Sequence, residues 1–272
     1  MFSGKAALEF RKPILVYIPC YNCAQGIVET LSNIPLQLQD QIECLVVDNQ
    51  STDSTAELVI QEIKEKKHPF RISLIKNKKN IGYAGSQKLA YSLVSQSAGV
   101  KYVVMLHGDG QYSPSLLTQF IAQTDKNYAI VNGYRDKKIY RHQEETPFVS
   151  YCIIKVLSWL ESMITGFAQK EWHSGFVMYR KEFLRKIPLK QLSNRPHIDG
   201  EFLICAGVLG EQTLGLPVYK KYIDYEAFCG IPRIKHVLHV FGIMLKFRRK
   251  YYHRMLEASN ISKIDFDYDV IT

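Results

Sequence analysis

The chain has no internal repeat, no low-complexity tract and no Pro/Gly/Ser-rich linker, so nothing in its 272 residues marks a clean domain boundary. It also lacks a run of roughly 18 consecutive apolar residues, the length a helix needs to cross a bilayer. Met1 to Lys12 has no long apolar core of the secretory type. These absences predict a cytosolic protein. Among six cysteines there is one C-x-x-C pair, Cys20 and Cys23, and no second pair to complete a structural zinc site. Reduced thiols near a strand end are expected. What is present is ordinary for a globular protein: 46% hydrophobic and 22% charged residues. The length suits one large α/β domain or two small ones. A net charge of +9 favours anionic partners such as nucleotides, nucleic acid, lipid phosphate or an acidic membrane surface. The basic residues lack the interleaved aromatics of a base-stacking groove, so no nucleic-acid partner is expected.

Short β-branched runs alternate with helical periodicity through the first half. Strands are predicted at Ile14–Ile18, Ile42–Val47, Arg71–Ile75, Tyr102–Leu106 and Tyr128–Asn132. Helices are expected between them, from about Ala24 to Ile34, from Thr52 or Asp53 as N-cap through Lys67, from Ala84 to Gln96, and from Pro114. Such alternation implies right-handed βαβ crossovers and a largely parallel sheet. Tyr21, Asp48 and Asp109 then fall on one sheet edge, where open α/β folds bind ligands. Val103–Leu106 stops at His107-Gly108-Asp109-Gly110-Gln111, which places two hard oxygen donors two residues apart beside glycines that allow close approach. That suits a divalent cation holding a phosphate, although a strand followed by a Gly-rich turn is the favoured reading of the segment when it is taken alone. Further on, Phe148–Phe167 and Ile198–Val208 are expected as helices, Gly175–Arg180 as a strand, and Gly215–Val218 as a segment closing the sheet.

These residues resemble glycosyltransferase family 2, inverting nucleotide-sugar enzymes with a GT-A fold. "IPxYN" matches Ile18, Pro19, Tyr21 and Asn22, and "VVDxxSTDxT" matches Val46, Val47, Asp48, Ser51, Thr52, Asp53 and Thr55. "NxGYxG" matches Asn80, Gly82, Tyr83 and Gly85, "DxDGQ" is matched in part by His107, Asp109, Gly110 and Gln111, and "SGF" lies at Ser174–Phe176. Within the family the chain is most similar to dolichyl- and polyprenyl-phosphate sugar transferases, through Gln111, Pro114 and Gly133-Tyr134-Arg135.

The resemblance implies a hexosyltransferase with a Rossmann-like sheet and a Mn²⁺ or Mg²⁺ ion on Asp109, Gln111 and, by position, His107. It assigns the donor nucleotide to Pro19, Tyr21, Asn22, Asp48, Ser51, Gly82, His107, Gly108 and Asp109. His107 departs from the family, which has aspartate there. A neutral imidazole can ligate Mn²⁺ but is a poor ligand for Mg²⁺, and the alternative role is a hydrogen bond to the nucleotide. The broken motif also allows a second reading, a catalytically inactive nucleotide-sugar-binding protein. A sugar-hydroxyl acceptor needs a carboxylate base, for which Asp199 and Glu201 are the candidates. An acceptor that is a lipid phosphate needs none, and Arg135, Lys138 and Arg141 would hold its charge. His173 and Ser174 are also placed on the acceptor side.

Ile231–Met255 is predicted as one basic amphipathic helix without an acidic residue. Its apolar face can enter the headgroup boundary of a membrane, pack on the domain, or form a homodimer. The expected organisation is a GT-A domain over residues 1–222 and a helical extension over 223–272. The expected activity is transfer of a sugar to a lipid-linked acceptor or a growing surface glycan.

Overall fold

The computed structural model describes residues 8–222, 233–258, 264 and 266–272. Five strands of the first half lie where hydrophobic periodicity puts them: β1 (Ile14–Cys20), β2 (Ile42–Asp48), β3 (Ile72–Asn77), β4 (Tyr102–Met105) and β5 (Ile130–Arg135). They alternate with α1 (Ile27–Ser32), α2 (Thr55–Lys64), α3 (Gly82–Gln96) and α4 (Leu116–Ile121). The second half adds α5 (Phe148–Thr165), β6 (Val177–Arg180), α6 (Lys181–Leu184), α7 (Ile198–Val208) and β7 (Thr213–Val218). α8 (Arg233–Arg248), α9 (Tyr251–Glu257) and β8 (Tyr268–Ile271) complete the described elements.

All eight strands form one sheet in the order β7-β5-β6-β4-β1-β2-β3-β8. β1 pairs in parallel with β2 and β4, β2 with β3, and β5 with β7. β6 runs antiparallel between β4 and β5, and β8 runs antiparallel to β3. The carboxyl ends of β1, β2, β4 and β5 therefore share an edge, and the chain enters β6 from that same edge.

Apolar side chains cover both faces of the sheet, which is why its strands are near-continuous hydrophobic runs. Leu15, Tyr17, Leu45, Val47, Val103 and Met105 pack with α3 and α7 on one face. Val16, Ile18, Val46, Val104 and Leu106 pack with α1, α2 and α4 on the other.

Gly215–Val218 completes the sheet as expected, as part of the terminal strand β7 beside β5. Two expectations change. The single helix expected over Ile231–Met255 is two helices, broken where Lys250 takes a left-handed φ of 56°; Ile231 itself lies outside the described residues, as does much of the predicted 222/223 boundary. The C-terminal segment is not purely helical, because β8 adds to the sheet edge at β3.

The apolar residues of α8 divide between two surroundings. Val240, Ile243 and Met244 are buried, whereas Leu238, Phe241 and Leu245 are exposed. α5 packs against α8. It buries Leu157, Ser158, Glu161 and Thr165, and leaves Phe148, Val149, Val156, Trp159 and Met163 exposed. Among the described residues, α5 is the helix long and apolar enough to cross a membrane.

Candidate active site

The ends of β1 and β2 are tied together by short polar side chains. Ser51 Oγ accepts the Asn22 N–H at 2.9 Å, and Asn22 Oδ1 accepts the Thr52 N–H at 2.9 Å. Asp53 is not an N-cap of α2; its carboxylate accepts the N–H groups of Thr55 and Ala24, each at 3.0 Å, and so joins the two loops. Asn22 and Gln50 both adopt left-handed φ values in these turns, a conformation asparagine tolerates because its side chain bonds locally. Asp48 ends β2 fully buried. Its Oδ1 accepts the Ser51 N–H at 3.2 Å, and its Oδ2 has no partner among the described residues. Burial raises its pKa, opposed by the bonds from Ser51. An unpartnered buried carboxyl oxygen is costly unless a ligand completes it. Beside it Asn49 bonds Asn80, Asn77 and the Ile81 N–H, which fixes the turn into α3 at Gly82, whose φ is +72°. Tyr21 stands half-exposed at the end of β1, next to Pro19.

At the end of β4, Asp109 Oδ1 accepts the Gln111 N–H at 3.0 Å. Its Oδ2 lies 4.0 Å from His107 Nδ1. His107 Nε2 is 3.0 Å from the Gly175 carbonyl. A carbonyl only accepts, so Nε2 carries the proton, and the Nδ1 lone pair is left facing Asp109. Burial depresses the His107 pKa and keeps the ring neutral, Asp109 opposing this. Gln111 Oε1 is buried without a partner. A carboxylate, a bare imidazole nitrogen and an orphaned amide oxygen are donor types that a divalent cation takes. Gly108 is required by packing, since a Cβ there would come within 2.5 Å of Cys20 Sγ.

Beyond His107 opens a cavity of about 570 Å³ between α5, α7 and α8, lined among others by Tyr83, Tyr112, Asp199, Lys220 and His236. Its volume is that of a small-molecule site. Apolar wall comes from Ile153, Ile154 and Leu157 of α5 and from Val237 and Leu238 of α8. Asp199 lies in it, 6% exposed. The Tyr179 hydroxyl donates to Asp199 at 2.9 Å, and the Gln87 amide and Tyr83 hydroxyl donate at 3.2 Å. Burial raises the Asp199 carboxyl to about 6, although these three donors pull it down.

The other acceptor-side candidates separate. Glu201 is turned away from the cavity: its oxygens accept the Ser193 N–H at 2.8 Å and the Tyr252 hydroxyl at 2.7 Å, which pins α9 to α7. Two residues along a helix point about 200° apart, so Asp199 and Glu201 cannot share one face. Arg135 lines the cavity, but its guanidinium is bonded to the buried Glu171 carboxylate and to the His173 carbonyl. It serves a structural ion pair before any acceptor. Lys138 and Arg141 sit on the exposed loop after β5 and do not line the cavity. Ser174 and His173 do line it. Sequence reasoning missed Gln87, Glu161, Glu171, His197 and His236. The His-x-Asp spacing of His197 and Asp199 was the one local signal available for any of them.

An open, mostly parallel sheet with carboxylates at its carboxyl edge and a cavity beyond them matches the architecture of the GT-A fold. The family model described as glycosyl transferase family 2 matches residues 15–188, and the chain belongs to that family. It is 31% identical over 116 residues to an uncharacterized glycosyltransferase of Haemophilus influenzae, covering 42% of this chain and 34% of that one. It is 23% identical over 212 residues to undecaprenyl-phosphate 4-deoxy-4-formamido-L-arabinose transferase of Salmonella choleraesuis, covering 76% of this chain and 59% of that one. The chain thus spans about a third and about three-fifths of these two relatives. Among solved structures, the mannosyltransferase of Pyrobaculum calidifontis in complex with GDP-Man and Mn²⁺ superposes with a TM-score of 0.61, at 20% identity, over 92% of this chain and 69% of that one. Glucosyl-3-phosphoglycerate synthase of Mycobacterium tuberculosis with UDP superposes at 0.60, with 15% identity, over 86% and 80%. At these identities the likeness establishes the fold.

Proposed function

We propose that the protein is an inverting, divalent-cation-dependent glycosyltransferase that moves a sugar from a nucleotide donor to a hydroxyl group of a lipid-linked acceptor or glycan. The observation that carries this reading is Asp199, a buried carboxylate poised near pH 6 in the cavity beyond the cation donors. Asp48, with its unpartnered Oδ2, accepts an N–H of the base, while Pro19, Tyr21, Asn22, Ser51 and Gly82 shape the nucleotide edge. Asp109, Gln111 and the His107 Nδ1 would hold the cation, and the imidazole favours Mn²⁺ over Mg²⁺. When bound, that ion supplies positive charge against the departing diphosphate. Asp199 takes the proton of the attacking hydroxyl, which approaches from the face opposite the diphosphate and so inverts the anomeric carbon. Tyr83, Gln87 and Tyr179 hold the carboxylate in place for that transfer.

A second reading, direct transfer to a lipid phosphate, is favoured by Lys220 in the cavity lining and by the activity named for the Salmonella relative. A phosphate acceptor needs no base, and the two readings separate on Asp199→Asn, as described in the Discussion.

α5 and α8, which both contribute to the cavity lining, also carry exposed apolar residues, among them Ile153 and Leu238 of the lining and Trp159 and Phe241 outside it, with Lys246, Arg248 and Arg249 nearby in the chain. They suit a membrane-surface rim where a lipid-linked acceptor would arrive. Co-sedimentation with anionic liposomes is expected and is expected to weaken on Trp159→Ser. Binding that is absent or insensitive would leave the same face for a homodimer.

Thermal-shift measurements against nucleotide sugars are expected to show stabilisation that requires Mn²⁺. Asp109→Ala is expected to remove that stabilisation and to lower turnover by about 10²–10³-fold, the usual effect of losing one electrostatic stabiliser of a leaving group. Unchanged turnover in this variant would remove Asp109 from the cation site. Donor binding without hydrolysis or transfer under either metal would identify an inactive nucleotide-sugar-binding protein.

A further inference from the structure

We propose that His173, His197 and His236 bind a second divalent cation of the zinc class, at a site separate from Asp109 and independent of the function proposed above. The three imidazoles come from distant parts of the chain: the segment before β6, the N-cap of α7 and the first turn of α8. Each offers a ring nitrogen, and these nitrogens lie within 4.8 Å of one another. His173 Nδ1 and His236 Nε2 are 3.4 Å apart. That is long for a hydrogen bond. It is about the separation of two nitrogen ligands held at roughly 2.0–2.1 Å on a tetrahedral Zn²⁺. The His173 and His197 rings stack with centroids 4.5 Å apart.

Glu161 of α5 supplies the second observation. It is 1% exposed. Its Oε1 accepts from His197 Nε2 at 2.6 Å. Its Oε2 lies 2.8 Å from His173 Nε2, but off the hydrogen-bond axis, so both atoms are buried without a hydrogen-bond partner. A buried carboxylate thus faces three imidazoles whose ring nitrogens converge. A buried carboxylate without a counter-charge is costly. A cation on the three nitrogens compensates it, with Glu161 as the carboxylate that orients ligating histidines. The competing arrangement is an imidazolium–carboxylate pair with no metal.

The test is Co²⁺ titration of the full chain after chelator treatment, followed by visible absorption, together with elemental analysis of the Zn²⁺-loaded protein. One equivalent with a tetrahedral Co²⁺ spectrum is expected, and Asp109→Ala should retain it. His236→Gln should weaken Co²⁺ binding by at least about tenfold, and Glu161→Gln by about 10–100-fold, with circular dichroism checking that each variant is folded. If His236→Gln fails to fold, the wild-type spectrum and Glu161→Gln decide. A missing tetrahedral spectrum, a spectrum lost with Asp109→Ala, or one unchanged in the folded His236 or Glu161 variants would overturn the proposal.

Discussion

Asp199→Asn is expected to lower kcat toward a hydroxyl acceptor by about 10²–10⁴-fold, the range supplied by a positioned general base, while leaving Mn²⁺-dependent donor binding intact. In the wild type the rate should fall about tenfold per pH decade below about 6, where burial places the Asp199 carboxyl, and the variant should lose that limb. Retained activity in the variant, with no limb near pH 6 in the wild type, would favour the phosphate acceptor. The same shift has a consequence for stability. Asp199 is raised above its ordinary value of 3.8, so its contribution is fully present below about pH 4 and is lost as pH rises through about 6. Two pH decades correspond to about 3 kcal/mol. Urea denaturation at pH 4 and pH 7.5 should show the wild type losing more stability than Asp199→Asn over this window.

Arg135→Ala is expected to destabilise the fold by about 3–5 kcal/mol, because it leaves Glu171 as a buried charge without its main partner. Glu171 is fully buried and accepts from the Arg135 backbone N–H at 2.8 Å and from its guanidinium. The nearest other cation, the Lys155 ammonium, is 4.0 Å from Glu171 Oε2. The double variant Arg135→Met, Glu171→Leu should recover part of the loss, since a well-packed apolar pair avoids the desolvation cost. Denaturant unfolding measures both. An unchanged unfolding midpoint with a raised acceptor KM would instead return Arg135 to the acceptor site.

The polar carboxyl edge of the sheet was legible because its residues follow strand ends directly. Asp48 is the last residue of β2, and His107 to Gln111 follow β4, so counting along the chain locates them in space. Arg135 also ends a strand, β5, yet its ion pair is not legible from position: its partner Glu171 is 36 residues away, and nothing local announces it. The choice between Asp199 and Glu201 needed the direction of α7 against both the cavity and α9. Lys138 and Arg141 have the charge an anion needs and lie on a loop that does not reach the cavity. The basic helix after 231 follows from its periodicity, but neither Gly nor Pro marks the break, which falls at a left-handed Lys250.

By itself the sequence determined the family, the alternation of strands and helices, and which polar residues sit at the carboxyl edge of the sheet. Those features depend on periodicity and on motifs a few residues long, which local physics writes directly into residue order. Only the tertiary structure decided that β6 enters antiparallel and brings Gly175 onto His107, that Asp199 is the carboxylate in the cavity, and that Glu161, His173, His197 and His236 meet. Each of those facts depends on contacts between separate elements, such as His107 with Gly175, 68 residues on. Such contacts are set by packing and desolvation across the whole domain, which no local stretch of the chain encodes.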